Sequence, residues 1–563
     1  MVGVAGKSKG CNTCRKRKKG CDLARPACGQ CVKGGKICGG YQRHLTFIHH
    51  KIPGNDPKTS PQQDTFNLDS DVSLATAFCE SSHASSAIVM QRSPPSTSPS
   101  LRLLSPHLTL TALTTLHTSL FNSSFLPRNT FTIQESFGPF GHRANWTQVI
   151  PSLLNNDLSL QLAYLALSSS RIGHDNQDDN LLAVSKKFYG KALREMQRAI
   201  SDPNRRYTEE MLFACSTLSL YEIFEAQTSS AAQVSSTPNG WLSHAAGVAR
   251  MLEARGPDSY TTDKGRTVFL HTRVLITIRA STARRGCFLS KPQWLTVPWK
   301  NHPKNLQHKL IDIMVFLPVV LEAYDNIETN TRLDSDERRH QRQSLLARCA
   351  TFCDQLQNWY SQLCADADGR SLCHAFPSDD PSYPFPYQFS FDDHLVAYTI
   401  MLYWSCLLVI QGVMCQLQYL LNEDAADPHD VETLPDYVNP RFYAVNIAQA
   451  LPYFLHPDMG ALGPNLALFP LGMAFGFFAN PARPSFASDW IATKSLDSAV
   501  DVLMKEKTPH GDRSTKDISS WFIKLFTNLS SRSLPGGIFL SGLMRAAENP
   551  AAHGGFCSVS EEV

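Results

Sequence analysis

The sequence predicts a mainly α-helical chain in three parts: a small cysteine-held head, a flexible linker and a large all-α body. Three observations carry this reading. Six cysteines crowd into residues 11–38. Residues 42–105 are rich in Ser, Pro and Asp and poor in periodic apolar positions. From residue 106 to 548, apolar residues recur at the three-to-four-residue spacing of buried helix faces, and strand-like alternation is scarce.

The head comes first. Cys11, Cys14, Cys21, Cys28, Cys31 and Cys38 follow C-x2-C-x6-C-x6-C-x2-C-x6-C, so the second triplet repeats the first with an offset of 17 residues. Two copies of one spacing predict two similar half-units folded around metal. Structural zinc takes four tetrahedral ligands, mostly thiolates. Six thiolates satisfy two Zn2+ ions if two sulfurs are shared. A disulfide framework is the alternative, but no secretory leader is visible and the ten further cysteines show no paired spacing. A head this short buries too little apolar surface to fold alone, so metal supplies most of its folding energy, ~10 kcal/mol or more per zinc.

Charge points the same way. Residues 1–50 carry eleven Lys/Arg against the single acid Asp22, a formal +10, whereas the whole chain carries +3; the remainder is therefore at −7. Only the head is built to meet a polyanion. Within it, Arg15, Lys16, Arg17, Lys18 and Lys19 stand between Cys14 and Cys21, but only Lys33 and Lys36 between Cys31 and Cys38. The first half-unit should face nucleic acid, most of its cations reaching phosphates. Lys16 to Lys19 also suit a nuclear import signal.

Residues 10–41, GCNTCRKRKKGCDLARPACGQCVKGGKICGGY, resemble the binuclear zinc-cluster DNA-binding domain of fungal transcription factors. All six cysteines, the basic run, Asp22 and Pro26 carry the resemblance. It implies that Cys11 and Cys28 bridge the two metals, that Cys14 and Cys21 complete one site, and that Cys31 and Cys38 complete the other. It also implies that Lys18 reads guanine O6 and N7 in a CGG-like triplet of double-stranded promoter DNA. Arg15, Arg17 and Lys19 are then phosphate contacts. Gly20 departs from the family pattern, which often has Lys there.

The linker, 42–105, lacks apolar heptads, so no coiled-coil dimerisation is expected through it; a homodimer would form through the helical domain.

The body, 106–548, reads as successive helices, followed by a flexible tail at 549–563. Leu181, Val184, Phe188, Ala192, Met196 and Ala199 share one face; Met211, Cys215, Leu218 and Tyr221 share another. Trp241, Ala245, Val248 and Leu252 mark a third helix, stopped by Gly256-Pro257. The segments SLYEIFEAQ (219–227), GWLSHAAGVARMLEARGP (240–257) and RRGCFLSKPQW (284–294) resemble, in that order, the fungal-specific transcription factor domain. That resemblance implies a regulatory all-α domain, in some members a ligand sensor. Residues 395–422 carry no charge over a membrane-spanning length, but Gln411, Gln416 and Gln418 and the lack of flanking cations favour a core helix over membrane insertion. The stretch 464–480, interrupted by Pro470, is also read as core. No G-x-G-x-x-G, Walker loop, H-E-x-x-H or G-x-S-x-G occurs, so no enzyme is expected; His244 reads as a packing residue and His49-His50 as a poor metal pair.

The expectation is a nuclear, sequence-specific transcription factor that engages promoter DNA and the transcription machinery, with secondary-metabolite or sterol biosynthesis genes as targets. A ligand-gated metabolite sensor, and a repressor or cofactor using the cluster for protein contacts, are the alternatives.

Overall fold

The computed structural model describes residues 13, 14, 17, 19, 21, 22, 28–36, 38, 110–127, 146–225, 240–367, 369, 371–378, 380, 383–423, 433–479, 518 and 520–525. The expected linker and tail, Cys11, Arg15, Lys16 and Lys18 lie outside them, as do His49-His50. The chain divides into two compact units, residues 1–68 and 69–563.

Among the described residues of the first unit, a short helix, α1 (Gly29–Lys33), follows Cys28, and Thr13 and Cys14 are also helical. The second unit is mainly α. Its first half comprises α2 (Leu110–Phe125), α3 (Trp146–Leu153), α4 (Leu158–Asn176), α5 (Asp179–Ser201), α6 (Glu209–Glu225), α7 (Gly240–Arg255) and α8 (Asp263–Thr282). Its second half comprises α9 (Pro292–Thr296), α10 (Leu306–Met314), α11 (Leu317–Thr329), α12 (Ser335–Asp366), α13 (His394–Glu423), α14 (Pro440–Leu455) and α15 (Leu462–Ala479). Between α12 and α13 a small hairpin pairs β1 (His374–Pro377) antiparallel with β2 (Tyr387–Ser390), His374 opposite Ser390. The sequence reading had no strand there.

Helix starts follow local chemistry. Asp157, Asp178, Thr262, Asn305, Asp334 and Asn439 each accept a hydrogen bond from the backbone N–H two or three residues on, satisfying a donor that a helix leaves open. The α7 stop is as read: Arg255 ends the helix, Gly256 adopts φ +76°, and Pro257 begins a 3-10 turn.

Two hydrophobic cores share this unit. One gathers Leu160, Leu167, Phe213, Leu218, Leu252, Phe269 and Trp294; the other gathers Leu356, Trp359, Leu402, Leu407, Leu451 and Phe475. Helix α10 straddles them, Ile311 in the first and Leu310 and Met314 in the second, and Val274 of α8 packs against both.

The faces read from sequence are too narrow for the central helices. On α6 burial runs from Met211 to Ser219 and on to Tyr221 and Phe224, so the helix is enclosed rather than one-sided. Helix α5 keeps Leu181, Ala192, Met196 and Ala199 inside, but Ser185 and Glu195 are buried there too, while Val184 and Phe188 are only half-buried. Helix α13 is long and apolar enough to cross a bilayer, yet 89% of its most apolar window is buried inside the domain. Its packing against α12, α14 and α15 accounts for the apolar run. Gln411 is among the buried residues; its amide donates to the Tyr437 carbonyl and accepts from Asn439 N–H at 2.8 Å, tying the approach to α14.

Helix α2 and the approach to α15 meet at Gly460, whose φ is +58°. Ala461 N–H donates to Ser124 O at the end of α2, and a Cβ at 460 would meet the carbonyl oxygens of Ser124, Phe125 and Leu126 at 2.7–2.9 Å.

Candidate metal centre and nucleic-acid interface

The cysteine spacing becomes geometry in the first unit. Cys28 caps α1, and its Sγ accepts from Cys31 N–H at 3.4 Å. Cys14 Sγ lies 3.6 Å from Cys28 Sγ and 3.8 Å from Cys31 Sγ. These three buried sulfurs all fall within 4.8 Å of one another. Tetrahedral zinc with Zn–S of about 2.3 Å separates its ligand sulfurs by roughly 3.8 Å, so this trio fits zinc. Cys21 and Cys28 form a second group with Asp22, and Cys21 and Cys38 are half-buried beside the trio.

The repeat is visible in the backbone. Lys19 N–H donates to Cys14 O at 3.0 Å, and Lys36 N–H donates to Cys31 O at 3.0 Å. The same bond closes both half-units, at the 17-residue offset of the cysteines. In the second half-unit the chain turns through Gly35 at φ +59°.

Of the basic run, Arg17 and Lys19 are described, and both are exposed. Arg17 N–H donates to Thr13 O. Its guanidinium reaches across to Gly34, where an added Cβ would meet Nη1 at 3.5 Å, beside the carbonyl of Gln30. A cation at the C-terminal carbonyls of α1 is favourable, so Arg17 links the half-units as well as presenting charge.

Sequence reasoning missed one device. Asp22 Oδ1 accepts from Gly29 N–H at 3.0 Å, so the head's only acid caps α1 from the opposite half-unit. A Cβ on Gly29 would lie 2.4 Å from Asp22 Oδ2. Asp22 directly after the third cysteine and Gly29 directly after the fourth are the only trace of it in the sequence.

The motifs of the helical domain also find one another. Ser219 Oγ donates to Trp241 O and Cys215 Sγ to His244 O, holding α6 against α7. Tyr189 on α5 hydrogen-bonds Glu222 and stands 3.3 Å from His244 Nε2. Burial lowers the His244 pKa to about 4, so the ring is neutral, as a packing residue should be. Burial raises the Glu222 carboxyl. Burial also pushes Glu225 up, but hydrogen bonds from His174 and Ser170 outweigh it and leave its pKa below the usual carboxylate range. In RRGCFLSKPQW, Arg284 takes φ +52° and pairs with both oxygens of Asp325 at 2.7 and 2.8 Å. Gly286 N–H donates to Glu322, and Phe288 packs edge-on to Trp294. These segments are a structural frame between α5, α6, α7 and α11.

A thiol cluster that fits zinc, set on a basic head and followed by an all-α domain, defines a metal-dependent DNA-binding regulator. Residues 9–46 match the fungal Zn(2)-Cys(6) binuclear cluster domain, which binds two zinc ions. Residues 116–417 match the fungal specific transcription factor domain, and the chain belongs to that family of transcription factors. Both are transcription-factor domains rather than enzymes. An uncharacterized protein of Emericella nidulans is 26% identical over 196 residues, 34% of this chain and 39% of that protein; the chain thus spans well under half the length of this relative. No solved structure matches.

Proposed function

We propose that the protein is a nuclear, sequence-specific regulator of RNA polymerase II genes that reads CGG-like triplets in promoter DNA. Cys11, Cys14, Cys21, Cys28, Cys31 and Cys38 hold the two zinc ions, Cys11 and Cys28 being shared. Lys18 reads guanine, Arg15, Arg17 and Lys19 engage phosphates, and Lys16 belongs to the same DNA-binding run. Residues 10–41 form the DNA-binding domain, 42–105 the linker and 106–548 the regulatory domain that engages the transcription machinery; its targets are secondary-metabolite or sterol biosynthesis genes.

One observation carries the reading: the half-units share a backbone closure, Lys19 to Cys14 and Lys36 to Cys31, but not a charge. Equal scaffolds with unequal basic runs are what a unit presenting one face to a polyanion needs. The test is Lys18→Ala in the full-length protein, with zinc content measured alongside binding to a CGG-containing duplex. Loss of one good base contact weakens specific binding by about 1–3 kcal/mol, roughly 5- to 150-fold, with zinc retained. Unchanged affinity with zinc retained would instead favour a cluster used for protein contacts.

A further inference from the structure

Arg266, Phe269 and Arg273 lie along α8 at positions i, i+3 and i+7, facing Trp299 and the start of α10. Three cations surround the one indole: the Trp299 ring centroid is 5.2 Å from Arg273 Cζ, 5.5 Å from Arg266 Cζ and 5.3 Å from Lys304 Nζ. One carboxylate, Asp312, answers them. Its Oδ1 accepts from Arg273 Nη2 at 2.5 Å, and its Oδ2 is taken by Lys304. Three cations against one carboxylate leave +2; Asp263, the other acid acting on Arg266, is 93% exposed.

The hydrogen-bond inventory is as lopsided as the charge. Arg273 is 1% exposed, yet its Nε and Nη1 find no partner among the described residues. Among the described residues Trp299, 8% exposed, has no acceptor for its Nε1, and the buried Arg266 Nε has none either. All of these are donors. A buried donor without an acceptor is costly, more so on a charged group, and Asp312 is already engaged twice. The rim is open to solvent on one side, where Lys304 and Asp312 are 23% and 17% exposed.

We propose that Arg266, Arg273, Trp299 and Lys304 form a binding site for a small oxyanion, the carboxylate or phosphate group of a metabolite, in the regulatory domain. The ligand supplies acceptors to the Arg273 and Trp299 donors and offsets the excess charge; Arg266 and Lys304 hold it at the rim. Every residue of the site belongs to the second unit, residues 69–563.

The test is thermal unfolding of the full-length, zinc-loaded protein, titrated with inorganic phosphate or citrate against sodium chloride of equal ionic strength. The expected result is a saturable rise in midpoint with at least one of the two. Citrate alone would mark a carboxylate ligand, and phosphate alone a phosphoryl group. Trp299→Phe keeps the ring and removes one donor; it should weaken the apparent affinity roughly 10-fold or more. Arg266→Gln should weaken it too, and Arg273→Met should abolish it if that variant folds. Failure of both anions to raise the midpoint beyond chloride overturns the proposal. So does a rise that Trp299→Phe and Arg266→Gln leave untouched, which would mark non-specific binding elsewhere.

Discussion

Gly29→Ala should damage the metal centre through Asp22, although it touches neither a sulfur nor a cation. The new Cβ would stand 2.4 Å from Asp22 Oδ2 and 3.5 Å from Asp22 Cγ. The carboxylate must swing away, breaking its 3.0 Å bond to Gly29 N–H. A hydrogen bond to a charged group contributes about 1.5–3 kcal/mol, which is roughly a 10- to 100-fold loss in an equilibrium constant. Zinc binding is most of this unit's folding energy, at ~10 kcal/mol or more per ion, so the variant should still take up zinc, only more weakly. The assay is zinc competition with a chromophoric chelator on the full-length protein. A double-mutant cycle isolates the cause. Asp22→Ala alone should cost about as much as Gly29→Ala. In the Asp22→Ala background Gly29→Ala should cost nothing further, and can gain up to ~1 kcal/mol because Ala is the better helix former. Equal and additive losses in both backgrounds would refute the contact as the mechanism, and unchanged zinc affinity in Gly29→Ala would refute it outright.

The helical domain supplies further expectations. Gly460→Ala puts a Cβ against three fixed carbonyl oxygens at φ +58°. Backbone strain of ~1–3 kcal/mol at φ 58°, ψ -154°, a region open essentially to Gly alone, and the overpacking should lower the thermal midpoint by several degrees; a midpoint equal to wild type would show that α2 and α15 do not meet there. Stability should also fall in acid. Burial holds His117, His244 and His271 at a pKa of about 4 in the folded protein, against 6.5 when unfolded. Between those values the unfolded chain binds more protons, so stability is full above pH 6.5 and declines as pH drops toward 4. Thermal midpoints followed by helical signal should trace that decline, and His244→Gln should make it shallower; an identical slope would show that the ring stays solvated.

How much of this was legible in advance depends on how local each signal is. The cluster was legible because its ligands sit within 28 consecutive residues at a repeated spacing, and the spacing itself is the chemistry. The α7 stop was legible because Gly256 and Pro257 act on their own backbone. Central helices were misread because periodicity reports one buried face, whereas α6 is enclosed by α4, α5 and α7. The hairpin was missed because β1, His374–Pro377, is short and mostly exposed and carries no alternation. Asp22 to Gly29 and Arg273 to Asp312 were invisible for another reason. Each joins residues whose types are ordinary in sequence, and only the fold shows that one carboxylate must serve a helix end or two cations.

The central claim is that the basic, zinc-held head reads DNA sequence. Selection of bound sites from a random duplex library by the full-length protein, with zinc, tests it most directly. The account predicts enrichment of CGG-like triplets, weakened by Lys18→Ala and abolished by chelation of zinc. Paired triplets at one fixed spacing would add a dimer, and a lone triplet a monomer. No enrichment by the zinc-loaded protein would contradict sequence reading.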